Sequence, residues 1–386
     1  MKAVVLAAGE GRRLRPLTET RPKVMLPVAN KPLLEHVVEA LVEAGVDEIV
    51  LVVGYRRERI QNHFGDGAQW DVDIEYVVQE QQLGTGHALL QAASNVGGEF
   101  IALNGDRIID AELVERVWER RRETGHMAMA ITEAEEPSNY GVVEVSGREV
   151  VGIQEQPLPP LAKSNMINAG VYAFGPGIFA ALRETERHGE QGLTTTLASL
   201  LDDHTVEAVP HRGLWLDVSH PWDLIEVNDA VIEYGEYASS AASVDDTAVV
   251  SDVSVLGEGT IVHPQATILR GSTLGDHVSV GPHVILENTI ILSDVTIKGG
   301  AVLKDCIVGA NTVIGPNSTV EGGDADVVID DEVYRDVRFG GIVGDNAEFG
   351  GNVVVRPGAV IGNETTVDSG SVVSGRIESG THVTRG

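Results

Sequence analysis

A chain of 386 residues, 42% of them apolar, is long enough for two packed cores, and its one cysteine, Cys306, excludes an internal disulfide or a cysteine-based zinc site. No run approaches the roughly eighteen apolar residues that span a bilayer, and Met1-Lys2 leads into an apolar stretch too short for an export signal, so the expected location is cytoplasmic. The formal charge of −30 is spread over both halves, with six lysines against 22 arginines; such a surface reads as adapted to high salt and disfavours nucleic acid or anionic lipid as partners.

From the N-terminus, apolar strand-like runs alternate with amphipathic stretches. Strands are predicted over 2–8, 48–53, 74–78 and 99–103, and helices over 32–44, 85–93 and 111–123. The alternation predicts βαβ units, hence an α/β domain with a Rossmann-like, mainly parallel sheet whose ligands bind at the carboxyl ends of the strands. A further helix is predicted over 221–234. Cys306 reads as a small apolar packing residue.

From about residue 242 the pattern changes to a period of six. Apolar residues recur at Val244, Val250, Leu256, Val262, Ile268, Leu274, Val280, Leu286 and Leu292, and small or β-branched residues sit two positions before each. The period returns at Val302, Val308, Ile314 and Val320, and again from Val343 to Val373. A hexapeptide repeat is the mark of a parallel β-helix, in which each rung buries its apolar residues by stacking on the next. Residues 321–338, rich in Asp and out of phase, read as a loop or altered rung. The chain is therefore divided into 1–236 and 243–386, with the junction at 236–242.

Directly after the first strand stands Leu6-Ala7-Ala8-Gly9-Glu10-Gly11-Arg12-Arg13-Leu14-Arg15-Pro16. Its glycines let backbone N–H groups approach phosphates, and equally serve a tight strand-to-helix turn. Arg12, Arg13, Arg15, Arg21, Lys23 and Lys31 against the single acid Glu19 form a basic island in an acidic chain, which points to an anionic ligand such as a triphosphate. Farther on, Gln79-Glu80-Gln81-Gln82-Leu83-Gly84-Thr85-Gly86-His87-Ala88 offers groups to pair with a pyrimidine edge. A surface amide at Gln79 and a helix N-cap at Thr85 are the plainer readings, and His87 is assigned no role. Asn104-Gly105-Asp106 and Leu216-Asp217-Val218 each place a carboxylate after an apolar run, as Mg²⁺ sites do when they share the ion with phosphate oxygens; either aspartate alone reads as a turn residue or cap.

The stretch LAAGEGRRLRPLTETRPKVMLPVANKP resembles the opening signature of the sugar-phosphate nucleotidyltransferase family, which includes glucose-1-phosphate thymidylyltransferases and the uridylyltransferase half of N-acetylglucosamine-1-phosphate uridylyltransferases. The resemblance implies that Leu6, Ala8, Gly9, Gly11, Gln79, Gly84 and Thr85 bind the nucleotide and that Arg13 and Lys23 neutralise the phosphates at the reacting centre. It also implies that Asn104, Gly141, Glu155, Asn168 and Gly170 hold the sugar, and that Asp106 and Asp217 ligate Mg²⁺. Two positions depart from the pattern: Arg12 stands where threonine is frequent, and Gln156 where many relatives have a lysine for the sugar phosphate, a role that Lys163, Arg212 or the metal could take over. The implied substrates are a nucleoside triphosphate, UTP or dTTP favoured, and a hexose 1-phosphate of the glucose or N-acetylglucosamine type.

Relatives that join such a domain to a hexapeptide solenoid exist, notably archaeal ones, with the solenoid as a left-handed parallel β-helix that commonly packs as a trimer. In some, the solenoid is an acetyltransferase that uses acetyl-CoA. The solenoid histidines His263, His277, His283 and His382 lack the H-x-x-Y setting of that activity, and an acid-rich loop repels CoA phosphates, so assembly is the favoured role. A non-catalytic sensor of sugar nucleotides is the alternative of another class; the presence of Arg13, Lys23, Asp106 and Asp217 favours an enzyme.

Overall fold

The computed structural model describes residues 1–185, 192–235, 237 and 241–385. These form two compact units: one of Met1–Glu10, Pro22–Met25 and Leu33–Leu216, the other of Gly11–Arg21, Leu26–Pro32 and Asp217–Gly386. The change of sequence pattern at 236–242 lies within the second unit, and residues 236 and 238–240 of that junction lie outside the described residues.

In the first unit the strands are β1 (Lys2–Ala7), β2 (Glu48–Val53), β3 (Asp73–Val78), β4 (Phe100–Asn104), β5 (Met127–Glu133), β6 (Gly141–Ser146), β7 (Glu149–Glu155), β8 (Met166–Phe174) and β9 (Val206–Pro210). Among the described residues they make one nine-stranded sheet in the order β3-β2-β1-β4-β8-β5-β9-β7-β6. The half from β3 to β4 is parallel, as the β-α alternation predicts. Beyond it β8 runs antiparallel to both β4 and β5, and β6–β7 is an antiparallel pair, because there strand follows strand without a crossover helix.

The helices are α1 (Leu33–Glu43), α2 (Arg57–Phe64), α3 (Thr85–Gln91), α4 (Ala111–Thr124), α5 (Ile178–Glu184) and α6 (Leu193–Leu200). Strand β1 shows why both faces of the sheet are covered. Its Ala3, Val5 and Ala7 enter one core with Val37 and Leu41 of α1 and Leu113 and Val117 of α4. Val4 and Leu6 enter a second core with Leu89 of α3, Phe179 of α5 and Leu197 of α6. Alternate residues of a strand point to opposite faces, so a strand apolar at every position must be sandwiched.

The second unit is a parallel β-helix of short stacked strands. One face pairs Val244 with Val262, Val262 with Val280, and Val280 with Ile297; from Val262 on these positions form an apolar column inside the solenoid, while Val244, in the first coil, is 42% exposed. The corners between strands recur at positive φ (Gln265, His277, His283, Asn311, Asn317, Asn346, Asn352), where Asn in particular tolerates the left-handed region. His277 and His283 are thus corner residues. In two places the period slips by one: Ile291, not Leu292, stacks on Leu274, and Leu303, not Val302, points inward on Leu286, because the coil is one residue shorter there. Cys306 is fully buried, as a packing residue should be, and burial pushes its thiol pKa up.

Residues 321–338 form neither a loop nor a rung. They make an antiparallel hairpin of Asp324–Ile329 and Glu332–Arg338, with Asp330 and Asp331 at φ 50° and 64°. Two residues at positive φ are the requirement of a tight type I′ hairpin turn. The helix α7 (Pro221–Tyr234), the predicted 221–234, packs against the solenoid. Its buried Asn228 donates to Gly271 O at 3.0 Å and accepts from Ala29 N at 2.9 Å and Thr273 Oγ1 at 3.3 Å. Among the described residues no helix is long and apolar enough to cross a membrane.

Candidate functional site

The carboxyl ends of the parallel strands gather the first group of predicted residues in the first unit. Gly105 N donates to Leu6 O at 2.9 Å and Gln79 N to Val53 O at 2.8 Å, so the segments leaving β1, β2, β3 and β4 are tied at one edge of the sheet. There Lys23 Nζ donates to Asp106 Oδ2 at 2.6 Å, with the lysine side chain 14% and the aspartate 30% exposed. Partial burial opposes ionisation of Asp106, but the charges of Lys23 and Arg107 outweigh it and hold the carboxyl below the usual carboxylate range. The result is a partly open carboxylate in its charged form, the donor a hard divalent cation takes. Among the described residues no group of three or more His, Cys, Asp or Glu side chains is placed to hold a metal ion.

Among the residues expected at the nucleotide, Gly9 leaves open space where a side chain would stand. Ala8 is buried, and its carbonyl accepts from Gln82 Nε2 at 2.9 Å. Gln82 was overlooked in the sequence because a glutamine among glutamines carries no local signal. Gln79 is 5% exposed rather than a surface amide; its Nε2 donates to Gly84 O at 3.2 Å and lies 2.9 Å from His87 Nδ1. His87, assigned no role from sequence, thus helps to orient the Gln79 amide. The N-cap of α3 is Gly84, at φ 107°, and not Thr85. Thr85 instead accepts from Leu193 N at 3.1 Å, joining the start of α3 to that of α6.

Among the residues expected at the sugar, β8 carries a register shift between Asn168 and Tyr172 that leaves Gly170 at φ 76°. A Cβ at Gly170 would lie 2.6 Å from Arg107 Nη1 and 2.8 Å from Asn104 Nδ2, so glycine is required both by the backbone and by the close approach. Asn168 is buried; its Nδ2 donates to Tyr172 Oη at 2.6 Å and its Oδ1 accepts from Gly170 N at 3.0 Å. Glu155 is exposed, opposite Gly141 across the β6–β7 pair. Arg107, also missed in the sequence, donates to Asn168 O at 3.3 Å and lies over the rings of Trp215 and Tyr140, with centroids at 5.2 and 6.0 Å. Of the cations considered as substitutes at Gln156, Lys163 pairs with Glu144 at 2.9 Å and Arg212 with Glu133 at 3.9 Å.

The second unit holds Gly11, Arg13 and Asp217. Gly11, at φ 66°, caps the short 3₁₀ turn Arg12–Leu14, and its carbonyl accepts from Leu14 N at 3.0 Å and Thr18 Oγ1 at 2.8 Å. Arg13 projects from this turn, exposed. Asp217 accepts from Ser219 Oγ at 2.8 Å. Just beyond it His220 stacks on Trp222 at 4.7 Å, and Tyr334 of the hairpin packs on both rings, at 4.6 and 5.2 Å. Burial, then the hydrogen bond and charge of Glu332, raise the Tyr334 phenol pKa, and the charge of Arg13 opposes them.

Known proteins are similar to this chain in sequence and in fold. The family described as nucleotidyl transferase matches residues 2–233, and the GMPPB C-terminal domain matches residues 235–338. The bifunctional protein GlmU of Methanococcus maripaludis is 34% identical over 269 residues, 69% of this chain and 62% of its own length. This chain therefore spans less than two thirds of that relative. The low-salt glycan biosynthesis nucleotidyltransferase Agl11 of Haloferax volcanii is 37% identical over 255 residues, covering 64% of this chain and 71% of that protein. A crystal structure of UDP-glucose pyrophosphorylase complexed with UDP-glucose is similar with a TM-score of 0.55 and 27% identity, covering 61% of this chain and 99% of the other.

Proposed function

The chain belongs to the nucleotidyl transferase family, and from that premise we propose that it joins a nucleoside monophosphate unit to a sugar 1-phosphate, releasing pyrophosphate. The observation that carries this reading is the Lys23–Asp106 pair at the carboxyl edge of the parallel strands, an ammonium and a carboxylate held together where phosphates bind in such sheets. An oxygen of the sugar phosphate attacks the α-phosphorus in line, a new P–O bond forms, and the bond to the β-phosphate breaks as pyrophosphate leaves. A phosphate monoester is largely ionised near neutral pH, so no general base is needed. The protein's work is positioning and neutralisation: Lys23 at the reacting phosphate and Arg13 at the leaving pyrophosphate.

Asp106 and Asp217 would hold Mg²⁺, whose charge offsets that of the phosphate oxygens. Gln79, Gly84 and Thr85 would face the base, with UTP or dTTP favoured, and Asn104, Gly141, Glu155, Asn168 and Gly170 the sugar, of the glucose or N-acetylglucosamine type. The β-helix is read as an assembly module that forms a trimer, and the acidic surface as an adaptation to high salt in the cytoplasm. The deciding experiment is a matrix of UTP, dTTP, ATP, CTP and GTP against glucose, N-acetylglucosamine and glucosamine 1-phosphates, with and without Mg²⁺, scored by pyrophosphate release. Turnover with at least one pair is expected; none with any pair would overturn the reading.

A further inference from the structure

Corners of a solenoid normally face water, yet the corner carboxylate Asp345 is 3% exposed, and Asn363, one coil later, is 7% exposed. Both are buried by the segment Pro16–Arg21, which belongs to the same compact unit. Arg21 Nη2 and Thr20 Oγ1 each donate to Asp345 Oδ2 at 2.6 Å, while Asp345 Oδ1 accepts from Ala310 N at 2.8 Å. Asn363 Oδ1 accepts from Asp345 N at 2.8 Å, and its Nδ2 donates to Glu19 Oε2 at 2.8 Å and Pro16 O at 3.2 Å. On the next coil Ser379 Oγ donates to Glu19 Oε2 at 3.2 Å. Three successive corners therefore grip one end of the loop whose other end, closed by Thr18 on Gly11, presents Arg13.

A buried ion pair contributes little net stability, because desolvation offsets the attraction; what it fixes is geometry. Resting on the reading of Arg13 as the pyrophosphate ligand, we propose that Asp345, supported by Asn363, is a positioning residue of the reaction: it holds the Gly11–Arg21 loop in the conformation that receives pyrophosphate. The solenoid is then part of the nucleotide-binding apparatus as well as a module of assembly. Without this grip, pyrophosphate must order the loop as it binds, and that entropy is subtracted from its affinity.

The test uses the full chain in the reverse direction, with inorganic pyrophosphate and the NDP-sugar selected by the substrate matrix, for wild type, Asp345→Asn and Asn363→Ala, with thermal melts alongside. The KM for pyrophosphate should rise about tenfold in Asp345→Asn and less in Asn363→Ala, while the KM for NDP-sugar stays within about twofold. Pyrophosphate KM within about twofold of wild type in both variants would overturn the proposal. So would equal losses for both substrates, or losses that simply follow a fall in melting temperature, since these report general destabilisation. Because Asp345→Asn removes the buried charge that pairs with Arg21 at 2.6 Å and could fail to fold, Asn363→Ala, which is neutral, then decides alone. Inactivity of the wild type in both directions would sink the functional reading itself, an outcome distinct from a normal Asp345→Asn enzyme.

Discussion

At the scale of single residues, the ammonium of Lys23 sits in a 2.6 Å contact with Asp106 in a mostly buried position. Arginine's planar fork is broader and cannot place one compact charge at that point. Lys23→Arg should therefore lower turnover by about a hundredfold, comparable to the loss of one transition-state donor, with a smaller change in nucleotide affinity. Near-wild-type steady-state turnover would reduce Lys23 to a long-range attractor of nucleotide. Asp106→Asn and Asp217→Asn remove a negative charge and leave the shape, so each should abolish most metal-dependent turnover, by about a hundredfold or more. A Mg²⁺ titration of pyrophosphate release checks this: activity that survives in both variants would remove the metal assignment. The residues that support these groups were the least legible. Arg107, Gln82 and His87 act through contacts with Asn168, Ala8 and Gln79, partners far along the chain in two of the three cases, and no local spacing announces such pairs.

Among the elements, those with a strong period were legible to within a residue or two. β2 and α7 have the predicted bounds, and α4 ends one residue later, at Thr124, just before Gly125 at φ 73°. The β-helix was legible because its repeat is enforced by stacking; the one-residue slips at Ile291 and Leu303 were not, because Leu292 and Val302 are as apolar as the residues that point inward. The hairpin is masked in the sequence, where the acidic composition around the short apolar run Val327-Val328-Ile329 makes 321–338 read as a loop or altered rung. α7 is fastened by a buried amide rather than by its apolar face alone. Asn228→Ala would leave Ala29 N and Gly271 O without their side-chain partner. A destabilisation of about 2–3 kcal/mol is expected, as for other buried polar groups left unsatisfied. Chemical denaturation measures it, and a change below about 0.5 kcal/mol, the size of an ordinary surface substitution, would show the network to be idle.

For the whole molecule, the two compact units do not follow a single cut of the chain, since Gly11–Arg21 and Leu26–Pro32 lie with the solenoid. Removal of residues 243–386 takes away the partners of Glu19, Thr20, Arg21, Asn30 and Asn228. The nine-stranded sheet, with its own cores, should still fold, whereas nucleotidyl transfer should fall to background and the proposed trimer to a monomer. Circular dichroism, pyrophosphate release and light scattering test the three parts. Full activity in the truncated chain would show that the Gly11–Arg21 loop, the proposed pyrophosphate site, holds its shape without the solenoid, and an unchanged assembly mass would place the oligomer interface elsewhere.

What the amino-acid sequence determined by itself was the pair of architectures and the family signature, because each is written in short-range terms: period two or 3.6 in the first part, period six in the second, and a basic island in an acidic chain. What only the tertiary structure decided was the company each residue keeps. Asp345 lies more than three hundred residues from Arg21 in the chain and 2.6 Å from it in space. A carboxylate at a solenoid corner looks like any other solvated acid until the fold brings a loop over it, for burial and partnership are properties of the folded chain and leave no local trace in its sequence.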